Sequence, residues 1–537
     1  MIRGRISDVH GRLGVFAIAL IGAMVIAGLP TPSGLPVRGQ YALATMYFAG
    51  VLWVTGVLPL AVTAVSIPVL LTGFGVYPSL DEALTGFADH VIFLFIAGFM
   101  LANALQKYNI DRRIALYLMV RMGTSPRWLV LAVMIATAFL SMWVSNTATA
   151  AMMTPIALGV LTQIIGREEI ASRDGHREEE PELATDGGLA AVGDGFTNIQ
   201  IAMLLGTAYA ASVGGVGTLI GTPPNAILAS QLDALLGYEI GFAQWLVIGL
   251  PIVVVTLPLV WYLLTYWLYP PEIDDVEAAR EQAREYLREE GELSTRGYRV
   301  VGIFTITALL WVIGGLDRFV TPYLPDVWAT VLYGGEGATF LGVSGHQGLL
   351  YYVMVGLYAI PALVLADTME WEELVDIDWG VILLFGGGIA LANALADSGA
   401  TEWIAETVFN GLTGAPIVVV VGAVVLLIIF LTEMTSNTAT ATIIIPLLIS
   451  IGGAFAATLG LSQLAAGIFL AVSGAIAASY AFALPVATPP NAIVFGSGYL
   501  EQRHMMRAGI ILNLLMTIVL TGLIWVLFTF VWPVILW

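Results

Sequence analysis

Two copies of one six-residue phrase, SNTATA, begin at Ser145 and Ser436. Its asparagine amide and its Ser and Thr hydroxyls can donate to an anion and offer oxygens to a cation. Both copies sit in apolar surroundings, after LVLAVMIATAFL or VVVVGAVVLLIIFL and before AMMTPIAL or TIIIPLLI. At membrane depth such side chains are tolerated only where they face protein, water or a ligand. One hydroxylated stretch alone would be read as a helix-packing face of small residues. Repetition with matched surroundings points instead to a binding site.

A second phrase, TPPNA, also recurs, at Thr222 and Thr488. Its two prolines remove two amide donors and force the preceding Thr out of helical geometry, so a span unwinds there and frees neighbouring carbonyls. Freed carbonyls are good ligands for a hard cation such as Na⁺. A lone proline pair would mark only a kink, but each pair here accompanies an SNT. A third repeat, LANAL, stands at Leu101 and Leu391. LANAL and SNT recur at offsets of 290 and 291 residues and TPPNA at 266, because the first half carries an extra acidic loop. The chain is an internal duplication.

The charge map restricts what such a site can hold. No Lys or Arg lies between Arg127 and Arg167, between Arg177 and Arg280, or between Arg318 and Arg503, and no histidine falls in an SNT or TPPNA phrase. An anion there must be held by amide and hydroxyl donors, by positive helix ends and by cations that arrive with it. An anion carrier of this design needs Na⁺ as its coupling ion, and no organic cofactor is expected. Glu433, three residues before the second SNT, is the best candidate for proton coupling; a carboxylate paired locally at the hairpin is the simpler reading.

The elements that must position these residues are membrane spans. With 58% apolar residues, 11% charged residues and a mean hydropathy of +0.89, the 537-residue chain is a polytopic membrane protein. It contains no cysteine, which excludes disulfides, thiolate metal sites and cysteine nucleophiles. The net charge of −19 resides mostly in two acidic loops, and the single lysine, Lys107, among 20 basic residues suggests a salt-adapted or GC-rich source. The same sign disfavours nucleic acid as a partner.

In chain order, three arginines precede an apolar run at 13–29 that reads as a first membrane helix rather than a signal peptide. Two spans follow within 41–76, broken at 56–59, and then a span at 90–105 that ends in a basic patch. The first SNT segment, 128–165, is about 38 residues long with a polar middle, which fits a re-entrant hairpin or a pair of half-helices. An acidic, solvated loop (166–197) leads to a span at 199–236 interrupted at Gly221, and to another at 242–269. Residues 272–290 form a surface helix, with Glu277/Arg280, Glu281/Arg284 and Glu285/Arg288 as ion pairs and a narrow apolar stripe of Val276, Ala279, Ala283 and Leu287. Spans at 300–316, 348–365 and 379–395 precede the second SNT segment (415–457), a span at 464–499 interrupted at Ala487, and a last span from Met506.

If the SNT segments dip in and out, eleven crossings result, and eighteen of the twenty basic residues lie inside, with only Arg38 and Arg318 outside. The N-terminus is then cytoplasmic and the C-terminus extracellular. Five crossings separate the two SNT segments, so the halves are inverted, as in secondary transporters. The fold expected is an all-α polytopic membrane protein of about eleven transmembrane helices with two re-entrant hairpins in inverted repeats. A membrane-embedded enzyme would need a Ser with His or Lys, paired Asp, or a metal-binding His pair at membrane depth, and none is present. A channel would need a continuous polar pore rather than polar residues gathered at symmetric breaks.

Paired SNT phrases, paired TPPNA breaks and this layout resemble the divalent anion:sodium symporter family, the INDY-type dicarboxylate carriers, over about residues 13–537. The resemblance implies sodium-coupled symport of C4-dicarboxylates such as succinate, malate or fumarate, or of related di- and tricarboxylates, across the cell membrane. Sodium-coupled sulfate transport and dicarboxylate exchange are the alternatives within it. It implies a homodimeric elevator, with a scaffold at 1–124 and 300–408 and a transport domain at 125–299 and 409–537. By the same resemblance Asn146, Thr147, Ser436, Asn437 and Thr438 hold the substrate carboxylates, helped by Thr222, Pro223, Thr488 and Pro489. One sodium site would use Ser141, Ser145, Asn146 and Gly221, the other Thr432, Ser436, Asn437 and Ala487. Thr222 stands where some relatives have Ser, and the acidic insertion at 166–197 is the clearest departure from the family pattern.

Overall fold

The computed structural model describes residues 9–121, 125–165, 197–272, 276–335, 339–340, 343–409 and 416–535; the acidic loop, apart from Thr197, lies outside them. Aliphatic runs become helices and proline or glycine ends them. The first half contains α1 (Val9–Gly28), α2 (Val37–Thr55), α3 (Leu60–Gly73), α4 (His90–Lys107), α5 (Ile110–Arg121), α6 (Pro126–Ser141), α7 (Asn146–Ile165), α8 (Asn198–Gly215), α9 (Pro223–Leu236), α10 (Phe242–Tyr262) and α11 (Glu277–Glu289). The second half contains α12 (Thr295–Gly314), α13 (Tyr352–Leu365), α14 (Trp379–Asp397), α15 (Ala400–Phe409), α16 (Ile417–Met434), α17 (Asn437–Leu459), α18 (Gln463–Ala477), α19 (Pro489–Gly496) and α20 (Gln502–Val526). A two-residue antiparallel pair, Thr339–Phe340 with Val343–Ser344, is the one β ladder among the described residues.

Each SNT segment is a helical hairpin. Arms of 16 and 20 residues, α6 and α7, meet at Met142–Ser145, and arms of 18 and 23 residues, α16 and α17, meet at Thr435–Ser436. Among the described residues seven helices are long and apolar enough to cross a membrane: α1, α4, α10 with its continuation to Leu268, α12, α14, α16 and α20 with its continuation to Val531. That is fewer than the eleven crossings expected, because several expected spans form shorter apolar helices, α3 and α13 of 14 residues and α18 of 15.

The interrupted helices lie innermost. Every residue of α8 from Ile199 to Gly215 is buried, as is every residue of α18 from Ala465 to Ala477, which is the pattern of a helix enclosed on all sides. Small residues let the neighbours approach that closely: a Cβ on Gly214 would stand 2.3 Å from Ala138 O, and one on Gly452 2.4 Å from Ala466 O. Thus α8 packs on α6, and α18 on α17.

The acidic-basic helix α11 docks on protein. Val276, Ala279 and Ala283 are buried, and α11 packs on α5 and α7. Arg280 Nε donates to Val120 O at 2.9 Å, Arg112 pairs with Glu290 at 2.8 Å, and Arg113 donates to Gly291 O at 2.7 Å. The narrow apolar stripe is therefore a helix-packing surface.

Candidate functional site

At the first break Ser141, the last residue of α6, directs its hydroxyl at Asn146 Oδ1 (2.6 Å) and Ala211 O (2.7 Å). The Asn146 amide can present either face to this cage. Nitrogen inward, it donates to Ser141 Oγ at 2.6 Å, Ala211 O at 3.1 Å and Gly221 O at 3.3 Å. Oxygen inward, it joins the Ser141 hydroxyl and two carbonyl oxygens in an all-oxygen cage suited to a hard cation. A Cβ on Gly215 would press on that amide oxygen, so a larger residue there would displace the Asn146 amide from the cage.

The second break repeats this frame with different residues. Thr432 Oγ1 reaches Asn437 Oδ1 at 2.7 Å and Ala478 O at 3.1 Å. Behind each cage the Asn of TPPNA stitches the unwound stretch to the start of the next half-helix. Asn225 Nδ2 donates to Gly215 O (3.1 Å) and Thr218 O (2.8 Å), while Asn491 Nδ2 donates to Ala481 O and Leu484 O, both at 3.1 Å. The spacings, ten and seven residues back along the chain, are the same in both halves. Both asparagines are fully buried. Thr222 and Thr488, in extended conformation, are the N-cap residues of α9 and α19 and place the proline pairs at the first helical turns, where the missing amides cost nothing.

Of the residues expected at the sites, Ser141, Asn146, Gly221, Thr432 and Asn437 converge on the two cages, while Ala487 is buried with its amide bonded to Leu484 O. Ser145 instead caps α7, its hydroxyl accepting from Ala148 N at 3.3 Å, and the Ser436 carbonyl accepts from Thr440 N at 2.8 Å. Thr147 and Pro489 are exposed, while Ser436, Thr438 and Pro223 are half-buried and Thr222 and Thr488 are buried. The hairpin tips thus keep open faces while the cages behind them are closed. The carbonyls of Ala211 and Ala478 and the stitching role of Asn225 and Asn491 escaped sequence reasoning; the repeated Asn of TPPNA was the available signal.

Glu433 is paired, but across the fold rather than locally. Its Oε1 accepts from Phe482 N (2.6 Å), Ala483 N (2.7 Å) and Asn513 Nδ2 (2.7 Å), and its Oε2 accepts from Leu484 N (2.9 Å). It is 4% exposed, so it supplies a buried acceptor to an unwound backbone that has three donors to satisfy.

A sequence profile of the sodium:sulfate symporter transmembrane region matches residues 12–537. The chain is 34% identical over 499 residues to a sodium-dependent dicarboxylate transporter, SdcS, of Staphylococcus saprophyticus, covering 92% of this chain and 87% of that one. It is 31% identical over 511 residues to the protein of the same name in Staphylococcus aureus, covering 94% and 88%, and 36% identical over 489 residues to an uncharacterized transporter of Haemophilus influenzae, covering 90% of each. The fold is similar to the solved YdaH transporter of Alcanivorax borkumensis at 14% identity and a TM-score of 0.53, over 97% of this chain and 98% of that one. It is also similar to the MtrF efflux pump of Neisseria gonorrhoeae at 13% identity and a TM-score of 0.51, over 96% and 94%.

Proposed function

The chain belongs to the sodium:sulfate symporter family, the divalent anion:sodium symporters, and we propose that it is a secondary carrier that uses sodium to move a small dicarboxylate into the cell. The observation that carries this reading is the duplicated oxygen cage. Ser141, Asn146, Ala211 and Gly221 on one side, and Thr432, Asn437 and Ala478 on the other, present oxygens where the sequence provides no Lys or Arg. Each cage takes one Na⁺. The open faces of the hairpin tips, with Thr147, Ser436 and Thr438 beside the two asparagines, then receive the substrate carboxylates. We assign Thr222, Pro223, Thr488 and Pro489 to the same site.

With two cages filled, a dianion is neutralised without any basic side chain. This explains why anion binding requires sodium: without it, two carboxylates would enter a site of neutral dipoles only. A third sodium, which the family resemblance implies, makes the cycle electrogenic, because one uncompensated charge gains about 2.3 kcal/mol per 100 mV of inside-negative potential. Names of the staphylococcal relatives favour a dicarboxylate over sulfate.

The motion we infer is that of an elevator, one body moving against another. We assign 125–299 and 409–537 to a body that carries the site, and 1–124 and 300–408 to a scaffold through which a homodimer forms. The hairpins are re-entrant from opposite sides of the cell membrane, within a layout of eleven crossings, with the N-terminus cytoplasmic and the C-terminus outside. Inverted repeats and symmetric breaks support this arrangement. The deciding experiment is uptake into proteoliposomes of succinate, malate, fumarate, citrate and sulfate, with and without a Na⁺ gradient. Dicarboxylate uptake that collapses when K⁺ or choline replaces Na⁺ is expected; undiminished uptake would overturn the sodium coupling. A measured stoichiometry of two Na⁺ per dianion would overturn electrogenicity and leave the site intact.

A further inference from the structure

Far from the cages in sequence, α9 ends with Gly237 in the left-handed conformation (φ 62°), its amide bonded to Asp233 O and that of Tyr238 to Leu232 O. This cap turns the chain back on itself and brings Glu239 beside Asp233. Opposite them stands His90, the first residue of α4. One donor atom from each of His90, Asp233 and Glu239 lies within 4.8 Å of the others.

The imidazole is oriented as a ligand would need. Its Nδ1 faces the carboxylates, 3.9 Å from Asp233 Oδ2 and 3.9 Å from Asp89 Oδ1. Its Nε2 lies 3.3 Å from the Tyr352 hydroxyl, and its ring packs against Tyr351 and Tyr352. A hydrogen-bonded partner on the distal nitrogen fixes ring orientation in metal sites. Asp89 is occupied, capping α4 through Val91 N at 2.8 Å and accepting from Ser230 Oγ at 2.8 Å, so it adds negative charge without serving as a ligand. Glu239 is exposed, which gives an ion a way in.

We propose that His90, Asp233 and Glu239 form a binding site for a divalent transition-metal ion such as Zn²⁺. One imidazole and two carboxylates are a three-ligand set for such an ion, and ligand bonds of about 2.0–2.2 Å require only a modest contraction of the cluster. His90 and Tyr352 belong to the segments read above as scaffold, and Asp233 and Glu239 to the body read as moving. Resting on that reading, a bound ion ties the two together and slows transport.

Binding and transport are tested separately. Zn²⁺ titrated calorimetrically into the purified full-length protein in a non-chelating buffer is expected to bind one ion per chain. His90→Ala and Asp233→Asn should each weaken binding roughly tenfold or more, with thermal unfolding of the metal-free variants reported alongside. Absence of saturable binding, or binding unchanged in both folded variants, overturns the site whatever the protein transports. In proteoliposomes, Zn²⁺ should slow sodium-driven uptake reversibly by chelator in the wild type and not in His90→Ala, each compared with its own metal-free rate. Binding without inhibition overturns the tie between the two bodies and leaves the metal site standing.

Discussion

The two unwound stretches have the same outline and satisfy their backbone by different means. In the first, the amides turn inward on the chain itself: Val216 N donates to Val213 O, Gly217 N to Gly214 O and Gly221 N to Thr218 O. Trp245 Nε1 donates to Val216 O, and the Thr218 hydroxyl ties the stretch to Met142 O. In the second, the amides of Phe482, Ala483 and Leu484 point away from their own turn and need an acceptor from elsewhere, which is Glu433. At the corresponding place in the first half, immediately after the cage hydroxyl, stands Met142. A duplicated frame has thus diverged in how it pays the cost of unwinding, with a glycine-rich turn on one side and a buried carboxylate on the other. Only the second half carries a carboxyl side chain within the break.

The largest expected effect tests that difference directly. Glu433→Ala leaves three backbone amides and the Asn513 amide without an acceptor, and should destabilise the protein by about 3 kcal/mol or more and abolish uptake. Thermal unfolding in detergent measures the first and proteoliposome uptake the second. Met142→Ala, the matching change in the first half, should retain transport, since its carbonyl rather than its side chain bonds Thr218. Equal damage from the two substitutions would show that the asymmetry is unimportant. If Glu433 were a proton carrier instead, Glu433→Gln would stay folded and would lose only the response of uptake to a pH gradient.

Next come the cage asparagines, where the halves should behave alike. Asn146→Ala and Asn437→Ala each remove a cage ligand and a donor at a hairpin tip, and a loss of about 1–3 kcal/mol corresponds to a fall in uptake of roughly five- to 150-fold. Both variants should remain folded. Near-normal uptake by either one would remove its hairpin from the site.

The hydroxyls sharpen the comparison at smaller scale. Ser141→Ala and Thr432→Ala each delete one oxygen of a cage that keeps its carbonyls, so the Na⁺ concentration for half-maximal uptake should rise about three- to tenfold in each, with little change in maximal rate. A rise in only one variant would assign sodium to one cage. Smallest of all, Thr432→Ser keeps the hydroxyl and converts the second cage to the residue type of the first; sodium dependence is expected to stay within about twofold of the wild type.

Much of this architecture was legible in the sequence because it rests on local rules. Aliphatic runs of span length, proline pairs that must unwind a helix and a repeated Asn in apolar surroundings each act within a few residues, so the helices and the paired breaks between them could be placed beforehand. The expected tally of crossings was less secure, because several expected spans form shorter apolar helices such as α3 and α18. What only the tertiary structure decided are the contacts that close the cages. Ala211 reaches Ser141 across 70 residues, Ala478 reaches Thr432 across 46, and Glu433 meets Asn513 across 80. A backbone carbonyl carries no side-chain signature, so nothing in the residue type Ala marks it as a ligand. Likewise a glutamate beside an SNT reads as local until packing brings unpaired amides against it, and the acceptor that a buried donor finds is set by which helices touch.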